Sequence, residues 1–141
     1  MWMYASRPPR FLLGATKHPQ TYKAMEKIYH SGKAKAIGVS NCSKAEVEHL
    51  LKNCTVVPAV HQIECHPWLQ QRDFCEWHKG KGIHVTHYSA FGNSNAIYTK
   101  PGEKLGKLID EPILAEIGKK YGKTGAQVAI GRLSLCETFG S

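Results

Sequence analysis

Lys33-Ala34-Lys35-Ala36-Ile37-Gly38-Val39-Ser40-Asn41 starts basic and solvated, passes through a short apolar run and stops on two small polar residues. Ala36, Ile37 and Val39 suit a buried parallel strand, which reads as a continuous apolar run rather than an alternating one. Ser40 and Asn41 then stand where such a strand ends, presenting a hydroxyl, a carbonyl and an amide. Just beyond, Ser43-Lys44-Ala45-Glu46 has the form of a capping box and opens Val47-Glu48-His49-Leu50-Leu51 as a helix. Strand, polar tip and helix make one βα unit, and the chain repeats it.

Upstream, Tyr22, Met25, Ile28 and Tyr29 fall on one face of a helix expected from Thr21, which Ser31-Gly32 closes. Residues 1–20 carry two adjacent prolines and no clear period, and read as an irregular lead-in. Downstream, residues 56–64 form a second strand, with Pro58 at its entry because proline cannot donate to a ladder. A loop through Cys65-His66-Pro67-Trp68 leads to a helix over residues 70–79, with Phe74 and Trp77 on one side. Residues 82–88 make a third strand, ending on Tyr88 and Ser89, with Gly92, Asn93 and Ser94 beyond. After a polar loop, Asp110 is expected to cap a helix with Pro112 in its first turn, carrying Ile113, Leu114, Ile117 and Tyr121 and ended by Gly122. Thr124-Gly125-Ala126-Gln127 is a second capping box, opening a helix from Val128 to about Leu135. The last residues, 134–141, depart from this order as a patternless tail. Strands alternating with helices at a spacing of roughly two dozen residues predict a parallel α/β fold.

Composition narrows the function classes. The 141 residues suffice for one domain with a sizeable core. A formal charge of +8 favours anions, but the lysines are scattered and do not cluster with aromatics on one element, which argues against nucleic acid. The five cysteines, Cys42, Cys54, Cys65, Cys75 and Cys136, contain no C-x-x-C pair, as expected of a reducing compartment without disulfides or a zinc knuckle. Phe11-Leu12-Leu13 is too short for a signal peptide and nothing approaches a membrane span, so a cytoplasmic location is expected.

In parallel α/β folds ligands sit beyond the carboxyl ends of the strands. The polar residues of this chain gather there: Ser40 and Asn41, Gln62 and Glu64, Tyr88 and Ser89. Ser, Asn and Gln suit hydrogen bonding to an amide or sugar rather than proton transfer at neutral pH. Tyrosine at a strand tip offers a flat face for a planar ring. Each residue alone is as readily a helix cap or turn residue, so the signal lies in the convergence. Among the histidines, His84 and His87 point to opposite faces of a strand and cannot share an ion. His61 and His66 lack matching Cys or carboxylate spacing, so no metal site is expected and these read as satisfied core or surface histidines. No G-x-G-x-x-G or P-loop occurs.

Residues 24–27, 32–41, 58–67, 85–92 and 121–129, read as Ala24-Met25-Glu26-Lys27, Gly32 to Asn41, Pro58 to Pro67, Val85 to Gly92 and Tyr121 to Ala129, resemble the aldo-keto reductases, in register over roughly residues 21–133. The resemblance implies a partial (β/α)8 TIM barrel, its fifth to seventh βα units, in an enzyme that reduces aldehydes and ketones with NADPH, less often NADH. It places Ser40, Asn41 and Gln62 on the nicotinamide carboxamide, Tyr88 stacked on the nicotinamide ring, and Ser89, Phe91 and Asn93 along the pyrophosphate. His61 stands where asparagine is common, and Gly125 where proline is. The family's catalytic Asp, Tyr, Lys and His would lie upstream of Thr21, and its grip on the 2′-phosphate beyond Leu133, so no catalytic residue is assigned here. Two functions follow: an NAD(P)H-dependent carbonyl reductase as a truncated chain, or a non-catalytic fragment that binds a dinucleotide weakly. The fragment could instead complete a barrel with another chain, since open barrel edges favour self-association.

Overall fold

The structure, a computed structural model, describes residues 18–92 and 106–138. In order these form α1 (His18–His30), β1 (Gly38–Ser40), α2 (Lys44–Leu51), β2 (Val60–Glu64), α3 (Arg72–Lys79) and β3 (His84–Tyr88). A 3-10 turn (Leu108–Asp110), α4 (Pro112–Tyr121) and α5 (Gly125–Thr138) follow. The strands make one parallel sheet in the order β1-β2-β3. Ser40 lies opposite Gln62, Gln62 opposite Thr86, and Glu64 opposite Tyr88.

Because side chains alternate along a strand, this register sorts them into two sets. Ser40, Gln62, Glu64, Thr86 and Tyr88 share one face, on which Ser40 and Gln62 are exposed. His61 and Ile63 occupy the other, buried face, toward the helices. Val39, opposite His61, shares that face and packs against the cores beneath it, yet it is half-buried rather than enclosed as expected. β1 starts at Gly38, two residues late, and Ala36 is exposed. β2 starts at Val60 rather than Val56, after Pro58; the Ala59 N–H still donates to the Ile37 carbonyl at 2.8 Å.

The capping boxes form as read. The Glu46 N–H donates to Ser43 Oγ at 3.3 Å and the Ser43 N–H to Glu46 Oε2 at 2.7 Å. At α5 the Gln127 N–H donates to Thr124 Oγ1 at 3.2 Å and the Thr124 N–H to Gln127 Oε1 at 2.9 Å. Other ends differ. α1 begins three residues before Thr21, and α5 runs through Thr138, past the expected stop near Leu135. α3 begins at Arg72 because Gln71 sits at φ +49°, in the left-handed region. Asp110 does not cap α4; it closes the 3-10 turn, and Glu111 precedes Pro112 at the first helical position.

Tyr22, Ile37 and Leu50 form a core between α1, α2 and β1, while Cys42, Val47 and Ile83 form another beneath the strand tips. Gly38 is needed there, since a Cβ would run into the Val60 carbonyl and side chain. Leu108, Leu114 and Ala129 make a third core that α4 and α5 share with the 3-10 turn. The expected apolar stripe of α4 therefore divides. Leu114 is buried, whereas Ile113 is 56% and Tyr121 65% exposed. At the end of α4 the chain folds back closely on Gly118, where a Cβ would run into the Lys123 carbonyl and the Lys123 N–H donates to the Gly118 carbonyl at 2.8 Å.

One buried charge ties α1 to the chain entering β2. Glu26, 6% exposed, accepts through Oε1 from the Thr55 N–H at 2.6 Å, the Val56 N–H at 2.8 Å and Thr55 Oγ1 at 3.0 Å. These donors, the Val56 amide first, hold its carboxyl below the usual range.

Candidate functional site

The tips of the three strands are stitched together by side chains of the residues that end them. Ser40 Oγ and the Asn41 N–H both donate to the Gln62 carbonyl at 3.0 Å, fastening β1 to β2. Tyr88 Oη donates to Asn41 Oδ1 at 2.6 Å, which spans from β3 to β1 above the end of β2. Asn41 and Ser89 both have φ +55°. This left-handed backbone turns each strand end sharply, and non-glycine residues held so are concentrated at functional sites. Asparagine tolerates the conformation best, which suits the residue found at Asn41.

Ser40, Asn41, Gln62 and Tyr88 thus come together, as the sequence pattern anticipates. With its Oδ1 engaged by Tyr88, Asn41 has two further amide N–H donors at the strand tip. A cavity of about 700 Å³ opens beside them, lined by Asn41, Cys42, Glu64, Leu69, Phe74 and Tyr88 among others. Ser89 follows Tyr88 into a turn closed by the Gly92 N–H on the Ser89 carbonyl at 2.8 Å. Phe91, 43% exposed, lies on that turn. Asn93 falls outside the described residues. Charged groups on the cavity wall are Lys44, Glu46 and Glu64, and Glu64 Oε1 stands 3.3 Å from His66 Nε2.

Beneath the tips lies a pair that sequence reasoning missed in part. His61, expected to be a satisfied core or surface histidine, is fully buried and accepts from the Cys42 N–H through Nε2 at 3.1 Å. Its Nδ1 stands 2.7 Å from His78 Nε2, and His78 Nδ1 stands 2.7 Å from the Phe74 carbonyl. His78 belongs to no motif in the sequence. Its i, i+4 spacing from Phe74 on the buried side of α3 was the available signal. Burial first and the neighbouring His78 second hold His61 down to about 4, and burial likewise pushes His78 below its ordinary value. Both rings are neutral at pH 7. Among the described residues no group of three His, Cys, Asp or Glu could hold a metal ion. No helix there is long and apolar enough to cross a membrane.

Residues 12–131 match the sequence profile of the aldo/keto reductase family. The chain is 48% identical over 113 residues to an uncharacterized oxidoreductase of Schizosaccharomyces pombe, covering 79% of this chain and 34% of that protein. It is 42% identical to aldo-keto reductase family 4 member C11 of Arabidopsis thaliana, over 79% of this chain and 34% of the relative. Among solved structures, an aldo-keto reductase complexed with NADPH superposes with a TM-score of 0.71 at 37% identity, over 83% of this chain and 36% of the other. The chain spans about a third of the length of the relatives it matches.

Proposed function

The chain belongs to the aldo-keto reductase family, and from that premise we propose that residues 21–133 contribute the nicotinamide-binding part of an NAD(P)H-dependent oxidoreductase that reduces aldehydes and ketones to alcohols. The observation that carries the reading is the 2.6 Å bond from Tyr88 to Asn41, which gathers a flat ring and a free amide donor over the tip of the central strand. The residues fit such a group. Asn41 Nδ2 and the exposed Gln62 amide offer neutral donors and acceptors to a carboxamide, and Ser40 Oγ retains acceptor capacity. Tyr88 offers its face to the ring, and Ser89, Phe91 and Asn93 the path for the pyrophosphate. When bound, the dinucleotide supplies the hydride; these residues bind and orient it. NADPH is the proposed cofactor, with NADH possible, and no residue of this chain is assigned as the acid.

By the family resemblance the grip on the 2′-phosphate lies beyond Leu133, outside this set of residues. Loss of a charge-assisted pair there costs ~1.5–3 kcal/mol, about one to two decades in affinity. Calorimetric titration of the 141-residue chain is therefore expected to show weak binding of NADPH and NADH with little preference between them. A preference for NADPH of about a hundredfold or more would place the phosphate grip within this chain and overturn the assignment.

A second reading, completion of a barrel by another chain, is favoured by the sheet. Among the described residues β1 and β3 each pair with β2 alone, and the face bearing Ser40 and Gln62 is open. Light scattering behind size exclusion is expected to find associated species. A sharp monomer with a cooperative melt would count against it.

A further inference from the structure

The proton positions of the buried histidine pair follow from its two ends. The Cys42 N–H can only donate, so His61 Nε2 must carry a lone pair. The Phe74 carbonyl can only accept, so His78 Nδ1 must carry a proton. A neutral imidazole holds one N–H, which leaves a proton on His61 Nδ1 and a lone pair on His78 Nε2. Those two atoms face each other at 2.7 Å. The chain Cys42 N–H to His61, His61 to His78, and His78 to Phe74 C=O is closed, with every donor matched.

There is no room in it for a third proton. On His61 the proton would occupy Nε2 and face the Cys42 N–H; on His78 it would occupy Nε2 and face the His61 N–H. Either way one link is lost. Cys42 directly follows Asn41, whose backbone is in the left-handed conformation and whose side chain is held by Tyr88. From this geometry we infer that His61 and His78 are positioning residues: neutral, they latch the Asn41–Cys42 turn to β2 and α3, and protonated they release it. The functional consequence rests on the nicotinamide reading of Asn41.

The groups packed around the pair do not replace the lost link. On the turn, Cys42 has its thiol pushed up by burial first and by Glu46 of α2 second, and its Sγ–H is directed to the Ser40 carbonyl at 3.5 Å. On α3, Phe74 and Trp77 meet His78 edge-on, and Lys44 and Lys81 lie over the Trp77 ring. On β3, His87 stands 3.6 Å from Cys75 Sγ. Among the described residues no carboxylate hydrogen-bonds either ring of the pair. Burial first and the neighbouring His78 second hold His61 down to about 4, in the same direction as the geometry.

The test uses the ¹⁵N-labelled 141-residue chain. Long-range ¹H–¹⁵N spectra at pH 7 are expected to show Nδ1 protonated and Nε2 bare on both His61 and His78. On acidification the Asn41 and Cys42 amide signals are expected to move together with the His61 ring. His61→Gln keeps an acceptor near the Nε2 position and cannot titrate there, so it should abolish that shared titration. His78→Leu removes the acceptor for His61 Nδ1–H and should move the Cys42 amide already at pH 7. A protonated Nε2 on either wild-type ring would overturn the inference, as would Asn41 and Cys42 amides that titrate unchanged in folded His61→Gln. In parallel, NADP⁺ titrations are followed from pH 7 downward while near-UV circular dichroism reports the fold. The wild-type Kd is expected to about double at the midpoint of the His61 titration and to rise about tenfold per pH unit below it, with His61→Gln flat. Binding that weakens equally in both proteins would overturn the functional consequence. Absence of NADP⁺ binding at pH 7 would instead refute the nicotinamide reading, with the ring and amide signals still deciding the latch.

Discussion

Assayed alone with NADPH and simple aldehydes, the 141-residue chain is expected to turn over at least ~10²–10⁴-fold below an ordinary enzyme rate of ~10 s⁻¹. Hydride addition to a carbonyl carbon leaves charge on its oxygen, which must be protonated or stabilised as it develops. The groups gathered at the strand tips suit recognition instead. Ser40 and Gln62 carry a neutral hydroxyl and amide, poor acids at neutral pH. Tyr88 already donates its proton to Asn41 Oδ1 at 2.6 Å, and Glu64 is engaged by His66. The resemblance places the family's acid, with the lysine and aspartate that tune it, outside the matched stretch. Loss of substrate positioning would add to the deficit. NADPH oxidation followed by absorbance checks this, beside Tyr88→Phe, which should not lower whatever residual rate is seen by a further step of that size. Turnover near ~1 s⁻¹ would contradict the expectation. If Tyr88→Phe then abolished it, Tyr88 would be the proton donor rather than the ring's platform.

Acid should destabilise the fold steeply. An unfolded His61 takes up a proton near the ordinary value of 6.5, the folded residue only near 4. Above 6.5 both states are neutral and the contribution is complete; between 6.5 and 4 the unfolded state binds more protons, so stability falls with pH. Each unit of that window costs about 1.4 kcal/mol, which for His61 comes to about 3 kcal/mol by pH 4. His78, also lowered by burial, acts in the same direction. Glu26 adds to the loss at lower pH, because its depressed carboxyl contributes fully above the usual carboxylate value and ceases to as pH falls through the folded one. Urea unfolding at a series of pH values is the measurement. The wild-type slope between pH 6.5 and 4.5 should be steeper than that of His61→Gln, and parallel slopes would show that the ring titrates normally in the folded chain.

Local signals were legible in the sequence where the physics is local. Ser43 with Glu46, and Thr124 with Gln127, satisfy helix-end amides within four residues, so both boxes are found where the pattern puts them. Gly122 ends α4 at φ +63° for the same reason, a backbone conformation that glycine adopts freely. The three strands and their polar ends follow from apolar runs, and Ser40, Asn41, Gln62 and Tyr88 converge because parallel register carries strand ends to one side. Other features escaped. Asp110 reads as a cap, but the 3-10 turn uses it first. The stripe on α4 reads as a core face, yet among the described residues only Leu114 joins the core with Leu108 and Ala129, while Ile113 and Tyr121 stay exposed.

What the residues determined by themselves was the alternation of strands and helices, the caps, and the chemical character of the strand tips, each encoded over a few neighbouring positions. What only the tertiary structure decided was pairing between distant groups. Tyr88 and Asn41 are 47 residues apart, Glu26 and Val56 30, and His61 and His78 17. No periodicity predicts which nitrogen of His61 faces the Cys42 amide. That choice is made by burial, because a polar atom removed from water must find its partner wherever the packed elements bring one within reach.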